Sequence, residues 1–83
     1  MRLTIYSKPG CHLCDEMKEL VRATIAKQPD ISLEEIDIST DGELMERYGL
    51  EIPVLMIDGR KTAKYRVTPA ELKRMIEGRP SGP

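Results

Sequence analysis

The stretch Leu3-Thr4-Ile5-Tyr6-Ser7-Lys8-Pro9-Gly10-Cys11-His12-Leu13-Cys14 decides how this chain is read. Leu3 to Tyr6 has the β-branched and aromatic content of a strand. Ser7-Lys8-Pro9-Gly10 is a turn. Beyond it, Leu13, Met17, Leu20, Val21, Thr24 and Ile25 recur at helical spacing, while Glu16, Lys18, Glu19, Arg22 and Lys27 fall elsewhere. This predicts a helix from about Cys11 to Lys27, ended by Pro29-Asp30. The cysteines therefore stand at a helix start, where free backbone N–H groups and the positive end of the macrodipole favour an anion. A thiolate is such an anion and is the reactive form of cysteine. The position points to thiol–disulfide chemistry.

Around that segment, size and composition set bounds. The chain has 83 residues, 40% of them hydrophobic, which suffices for one core in a single domain over 1–78 with a loose tail at 79–83. Trp and Phe are absent, so Leu, Ile, Val, Met and Tyr must fill that core, with Met17, Met45, Met56 and Met75 as filler. A net charge of −1 gives no pull toward nucleic acid or a membrane surface. No apolar run approaches the ~20 residues of a membrane span or suits a signal peptide, so a cytoplasmic location is expected. Thiols are kept reduced there. A bridge closing so short a loop stabilises by only about 2 kcal/mol on the chain-entropy model. The pair thus reads as reactive rather than as a structural staple.

Downstream, Ile31 to Ile38 is a second strand whose Glu34 and Glu35 suit an edge or a solvated face. Thr40-Asp41-Gly42-Glu43 has capping-box spacing, which predicts that Thr40 opens a short helix and Gly49 closes it in a left-handed conformation. Ile52 to Ile57 is a third strand headed by Pro53, and Asp58-Gly59 is a tight turn into a fourth strand, Lys61 to Val67. Thr68-Pro69-Ala70-Glu71 is a second capping box, with proline at the first helical position. Leu72, Met75 and Ile76 form the last helix's apolar stripe, and Gly78 ends it. The order is β-α-β-α-β-β-α: an α/β fold with a mixed four-stranded sheet, its first two strands parallel and its last two antiparallel, flanked by three helices.

These elements resemble the glutaredoxin and thioredoxin-like superfamily over nearly the whole chain. The likeness rests on Tyr6 to Cys14, on Ile52-Pro53-Val54, on Asp58-Gly59 and on the closing helix. It implies a thioredoxin-like fold, a cis Pro53 facing the cysteine pair, and a dithiol disulfide oxidoreductase. The chain departs from the family pattern in two places. His12-Leu13 separates the cysteines where many glutaredoxins have Pro-Tyr and thioredoxins Gly-Pro. Where glutaredoxins carry Gly-Gly and an acidic residue that help to hold glutathione, this chain has Lys64-Tyr65-Arg66-Val67-Thr68-Pro69. The second departure weakens the case for glutathione as the specific partner without touching the redox reading.

Cys11, nearer the helix start, is the expected nucleophile, partly ionised at neutral pH, and Cys14, one turn in, the resolving thiol. Lys8 is a candidate to stabilise the thiolate or a substrate carboxylate, with a plain solvated turn lysine as the alternative. His12 is a candidate to support the thiolate as a cation, or is an exposed helix-start histidine. Asp15 and Glu16 suit the helix dipole but oppose a nearby thiolate. The resemblance implies that backbone beside Pro53 pairs with an extended substrate, which makes Ile52 a contact. Tyr6 packs near the cysteines or in the core. Lys61, Lys64 and Arg66 guard an edge strand or meet an acidic partner.

The expected partners are a disulfide-containing protein or glutathionylated substrate and a thiol reductant, either glutathione or a thioredoxin-reductase-type enzyme. No cofactor, nucleic acid or membrane is expected, glutathione entering only as a co-substrate, and the protein is expected to be a monomer. Two other readings stay open. A Cu(I) carrier also sets a CxxC between a strand and a helix, and two thiolates suit Cu(I), but such domains run β-α-β-β-α-β and end on a strand. A thioredoxin-like binding module without chemistry would not need both cysteines. Cys11, Cys14 and His12 are too few for a closed zinc site, so no metal site is expected.

Overall fold

Alternation in Leu3-Thr4-Ile5-Tyr6-Ser7 builds the centre of the molecule. A computed structural model describes residues 1–77, and in it Leu3 and Ile5 are fully buried on one face of strand β1 (Arg2–Ser7). Helix α1 (His12–Ile25) returns the chain to strand β2 (Ser32–Asp37), which pairs parallel with β1. A single 3₁₀ turn, Ile38–Thr40, precedes helix α2 (Gly42–Tyr48). Strands β3 (Val54–Ile57) and β4 (Arg60–Lys64) form an antiparallel hairpin, and helix α3 (Pro69–Glu77) closes the fold. The sheet order is β2-β1-β3-β4, with β3 antiparallel to β1. This is the mixed four-stranded sheet with three helices that the sequence predicts. The role assigned to Gly78 and the tail 79–83 lie outside the described residues.

The two faces of the sheet are covered by different helices. Leu3, Ile5 and Leu55 meet Met17 and Val21 of α1 and Leu72 and Ile76 of α3 in one core cluster. Tyr6 and Val54, opposite each other in register, face the other way. There Tyr6 stacks on Tyr48 of α2, with ring centroids 4.9 Å apart. Met17 is core, as expected, and Met75 packs partly buried against it.

Three local expectations change. Asp41, not Thr40, caps α2, its Oδ1 accepting from the N–H groups of Glu43 and Leu44 at 3.0 and 3.1 Å. The 3₁₀ turn consumes Thr40: buried Ile38 draws the chain inward, and Asp37 caps the turn through Ser39. Gly49 is right-handed (φ −55°, ψ −30°), not left-handed. Its lack of a side chain matters because a Cβ there would collide with the Met45 carbonyl oxygen. Strand β4 stops at Lys64, because Tyr65 turns to a left-handed φ of +68°. The Asp58-Gly59 turn and the Thr68–Glu71 box form as predicted. Asp58 and Gly59 both have positive φ, and Thr68 and Glu71 exchange side chain-to-backbone bonds of 2.9 and 3.1 Å.

Edge strand β2 carries its carboxylates against cations: Arg22 holds Glu35 through two bonds of 2.6 and 2.7 Å, and Arg2 holds Glu34 at 2.9 Å. Four carboxyls are held below their ordinary range by hydrogen bonds: Glu35 from Arg22, Asp37 from Ser39, Glu51 from Lys61 and Glu71 from Thr68. A depressed folded-state value gives stability that is present above the unfolded value, about 4, and is lost as pH falls through the folded one. Thermal melts should therefore hold level from neutral pH down to about 5 and decline modestly below about 4, since these carboxyls are largely exposed and their pairings screened. A midpoint that instead rises on acidification would contradict these pairings.

Candidate active site

The segment Ser7 to Cys14 turns from the end of β1 into α1. Gly10 makes that turn at φ +77°, a conformation a Cβ disfavours. Cys11 follows as the N-cap of α1 in extended conformation (φ −98°, ψ 110°). Its Sγ takes the place of the usual capping oxygen and accepts the Cys14 N–H at 3.1 Å. Cys11 and Cys14 are joined by a disulfide, their Cα atoms 5.2 Å apart. The two sulfurs are not equivalent. Cys14 is fully buried, whereas Cys11 is half-exposed at the helix start. The sulfur that solvent and a partner can reach is therefore the one that receives a first-turn N–H, that of Cys14, at the positive end of the helix dipole.

The remaining predicted residues stand on several elements of the fold. His12 is the first helical residue and is exposed. Lys8 is half-buried in the turn before Cys11. Asp15 and Glu16 are exposed on the first turn of α1, and the Asp15 N–H bonds the Cys11 carbonyl at 3.1 Å. The Ile52–Pro53 bond is cis and Pro53 is fully buried. Val54 pairs with Tyr6, so antiparallel register carries Pro53 to the level of Ser7, at the end of the sheet from which the cysteine turn departs. Ile52 is half-buried beside it, and among the described residues its backbone N–H and carbonyl make no hydrogen bond. Tyr6 is tied to Tyr48 on the α2 face. Lys61 bonds Glu51 at 2.8 Å, which uses one of the three basic residues near the last strand for an internal pair.

One residue at this end escapes a reading of the sequence. Tyr65 donates its N–H to the Pro53 carbonyl at 2.8 Å and its hydroxyl to the Leu50 carbonyl at 3.1 Å. It thereby ties the loop before Pro53 to the loop before α3. The signal available was an aromatic residue in the region where the resemblance leads one to expect glycines. Among the described residues, no group of three or more His, Cys, Asp or Glu side chains is placed to hold a metal. No described helix is long and apolar enough to cross a membrane.

The geometry can be set beside known proteins. A family model described as Glutaredoxin-like domain (DUF836) matches residues 2–77. A curated glutaredoxin-like protein of Dictyostelium discoideum is 26% identical over 82 residues, covering 93% of this chain and 76% of that protein. The X-ray structure of the structural-genomics target XcR50 from X. campestris superposes with a TM-score of 0.75 at 30% identity, covering 94% of this chain and 99% of that one. Desulfothioredoxin from Desulfovibrio vulgaris Hildenborough, at 23% identity, shares the fold with a TM-score of 0.69 over 94% of this chain and 80% of its own.

Proposed function

Because the chain belongs to the glutaredoxin-like domain family, we propose that it is a thiol–disulfide oxidoreductase working through Cys11 and Cys14. The observation that carries this is the bridged pair at the start of α1, with the reachable sulfur receiving the helix's own N–H. In the reduced protein the Cys11 thiolate attacks one sulfur of a substrate disulfide. A Cys11–substrate disulfide forms, and the other substrate sulfur leaves as a thiolate that takes up a proton. Cys14 then loses its proton and attacks Cys11 Sγ. The internal bridge forms, the mixed bond breaks, and the second substrate thiol departs. Two electrons pass from the dithiol to the substrate, and an external thiol or reductase must return them. Glutathione and a thioredoxin-reductase-type enzyme are the two candidate donors, and the setting is a reducing compartment such as the cytoplasm.

The surrounding residues have roles within this reading. Lys8 and His12 bring positive charge or its capacity beside the Cys11 thiolate. The free backbone groups of Ile52 pair with an extended substrate, while buried Pro53 holds that edge in place.

Alkylation kinetics test the proposal. In the reduced protein at pH 7, Cys11 should react with iodoacetamide faster than free cysteine, and Cys14 far more slowly, because it is buried. Mild oxidation should form the bridge and abolish both reactions. Two thiols as slow as free cysteine that form no bridge would sink the reading. Tight Cu(I) binding without any disulfide reduction would favour a carrier instead.

A further inference from the structure

Beside the cysteine pair, α1 and the segment 65–71 enclose a cleft of about 290 Å³. Its apolar lining comes from Leu13, which lies between the two cysteines, and from Met17, Leu20 and Val67. Tyr65 joins the wall, and through its bonds to Pro53 and Leu50 it links the cleft to the backbone beside Ile52. Tyr65 is 44% exposed and Leu50 is 93% exposed, so this rim also presents apolar surface.

Two features make the cleft a poor seat for an anion. The N-terminus of α3 would ordinarily offer free N–H groups. Here the Thr68 N–H is bonded to Glu71 Oε1, the Glu71 N–H to Thr68 Oγ1, and Pro69 has no N–H at all, which leaves the first turn only the Ala70 N–H without a partner among the described residues. Among the described residues, the carboxylates of Glu16 and Glu71 also line the cleft, with Arg66 as the one cation in its wall. The bonds from Thr68 keep Glu71 ionised by holding its carboxyl below the usual range. Glutathione brings two carboxylates and one ammonium, a net negative charge, to such a surface. A polypeptide segment with an apolar and a basic residue beside its cysteine is complementary to it in both shape and charge.

We propose that the cleft walled by Leu13 and Tyr65 receives an apolar side chain adjoining the disulfide of a polypeptide substrate, and that it discriminates against glutathione. This rests on the reading of Cys11 as the attacking thiol and names the substrate class of that site. Tyr65 is then a specificity residue. Its left-handed backbone, which a Cβ disfavours, is held by its bonds to the Pro53 and Leu50 carbonyls.

The test compares mixed disulfides of one reporter thiol with two carriers: a short peptide bearing leucine and lysine beside its cysteine, and glutathione. The protein should show a kcat/KM about tenfold higher for the peptide, and replacing the peptide's leucine by glycine should remove most of that preference. Tyr65→Gly should raise KM for the leucine peptide several-fold while the protein stays folded at the assay temperature, since glycine accepts the positive φ and so offsets part of the loss of the hydroxyl bond to Leu50. Glu71→Gln, which keeps the capping box but removes the charge, should lower KM for the glutathione disulfide. Equal kcat/KM for the two carriers, or a Tyr65→Gly protein with an unchanged preference, overturns this inference and leaves the oxidoreductase reading standing. A protein that reduces neither carrier sinks both.

Discussion

Cys11→Ser leaves a folded protein that reduces no disulfide, whereas Cys14→Ser halts with substrate covalently attached. Serine is among the best N-cap residues, and its hydroxyl takes over the Cys14 N–H that Cys11 Sγ accepts at 3.1 Å. Helix α1 and the melting temperature of the reduced protein are therefore preserved, and the loss is one of chemistry. A hydroxyl at neutral pH is not ionised by helix dipoles that suffice for a thiol, so turnover falls by at least about a thousandfold. In the Cys14→Ser protein the first exchange still runs, because Cys11 and the donors around it are unchanged. Only the resolving step is missing. Intact-mass spectrometry after mixing with a disulfide peptide should show one adduct on the Cys14→Ser protein and none on Cys11→Ser. Adducts on Cys11→Ser would assign attack to Cys14 despite its burial. A Cys14→Ser protein that turns over with added glutathione would show that an external thiol can replace the resolving cysteine.

What made this site legible is that its parts are local. A CxxC after a strand, a proline before an apolar run, Asp58-Gly59 and Thr68-Pro69-Ala70-Glu71 each act through neighbours within four residues, so their residue types carry the geometry. The resemblance adds the placing of Pro53 at the end of the sheet where the cysteine turn departs, which depends on antiparallel register between β1 and β3 and has no local signature. Errors arose where two local solutions compete. Thr40 and Asp41 both cap helices well, and burial of Ile38, a tertiary effect, selects Asp41. Gly49 fits a left-handed C-cap, yet the structure uses its missing side chain to clear the Met45 carbonyl. Tyr65 is the clearest case. Its bonds to Pro53 and Leu50 span 12 and 15 positions, and nothing in Lys64-Tyr65-Arg66 alone announces a backbone turned to positive φ.

Leu55→Ala and Leu50→Ala, the same chemical change five residues apart, should differ sharply in their effect on stability. Leu55 is fully buried in the centre of β3, opposite Ile5 on one side and Ala63 on the other, within the cluster that joins α1 and α3 to the sheet. Removing it deletes apolar contacts and leaves a cavity between elements that cannot close around it, at a cost of about 2–5 kcal/mol. A domain of this length has roughly 4–12 kcal/mol in total. At about 4–8 °C per kcal/mol, the melting temperature should fall by about 8 °C or more. Leu50 is 93% exposed, so its truncation should leave the midpoint within about 2 °C of the unmodified protein. The site should follow the core. Strand β3 carries Pro53 at its head and β1 leads into the cysteine turn, so loosening Leu55 against Ile5 frees the two segments that the proposed function brings to a substrate together. Disulfide reduction by Leu55→Ala should therefore fail at a lower temperature, in step with the melt measured by circular dichroism. An unchanged melt for Leu55→Ala would show that the sheet is not held by this cluster.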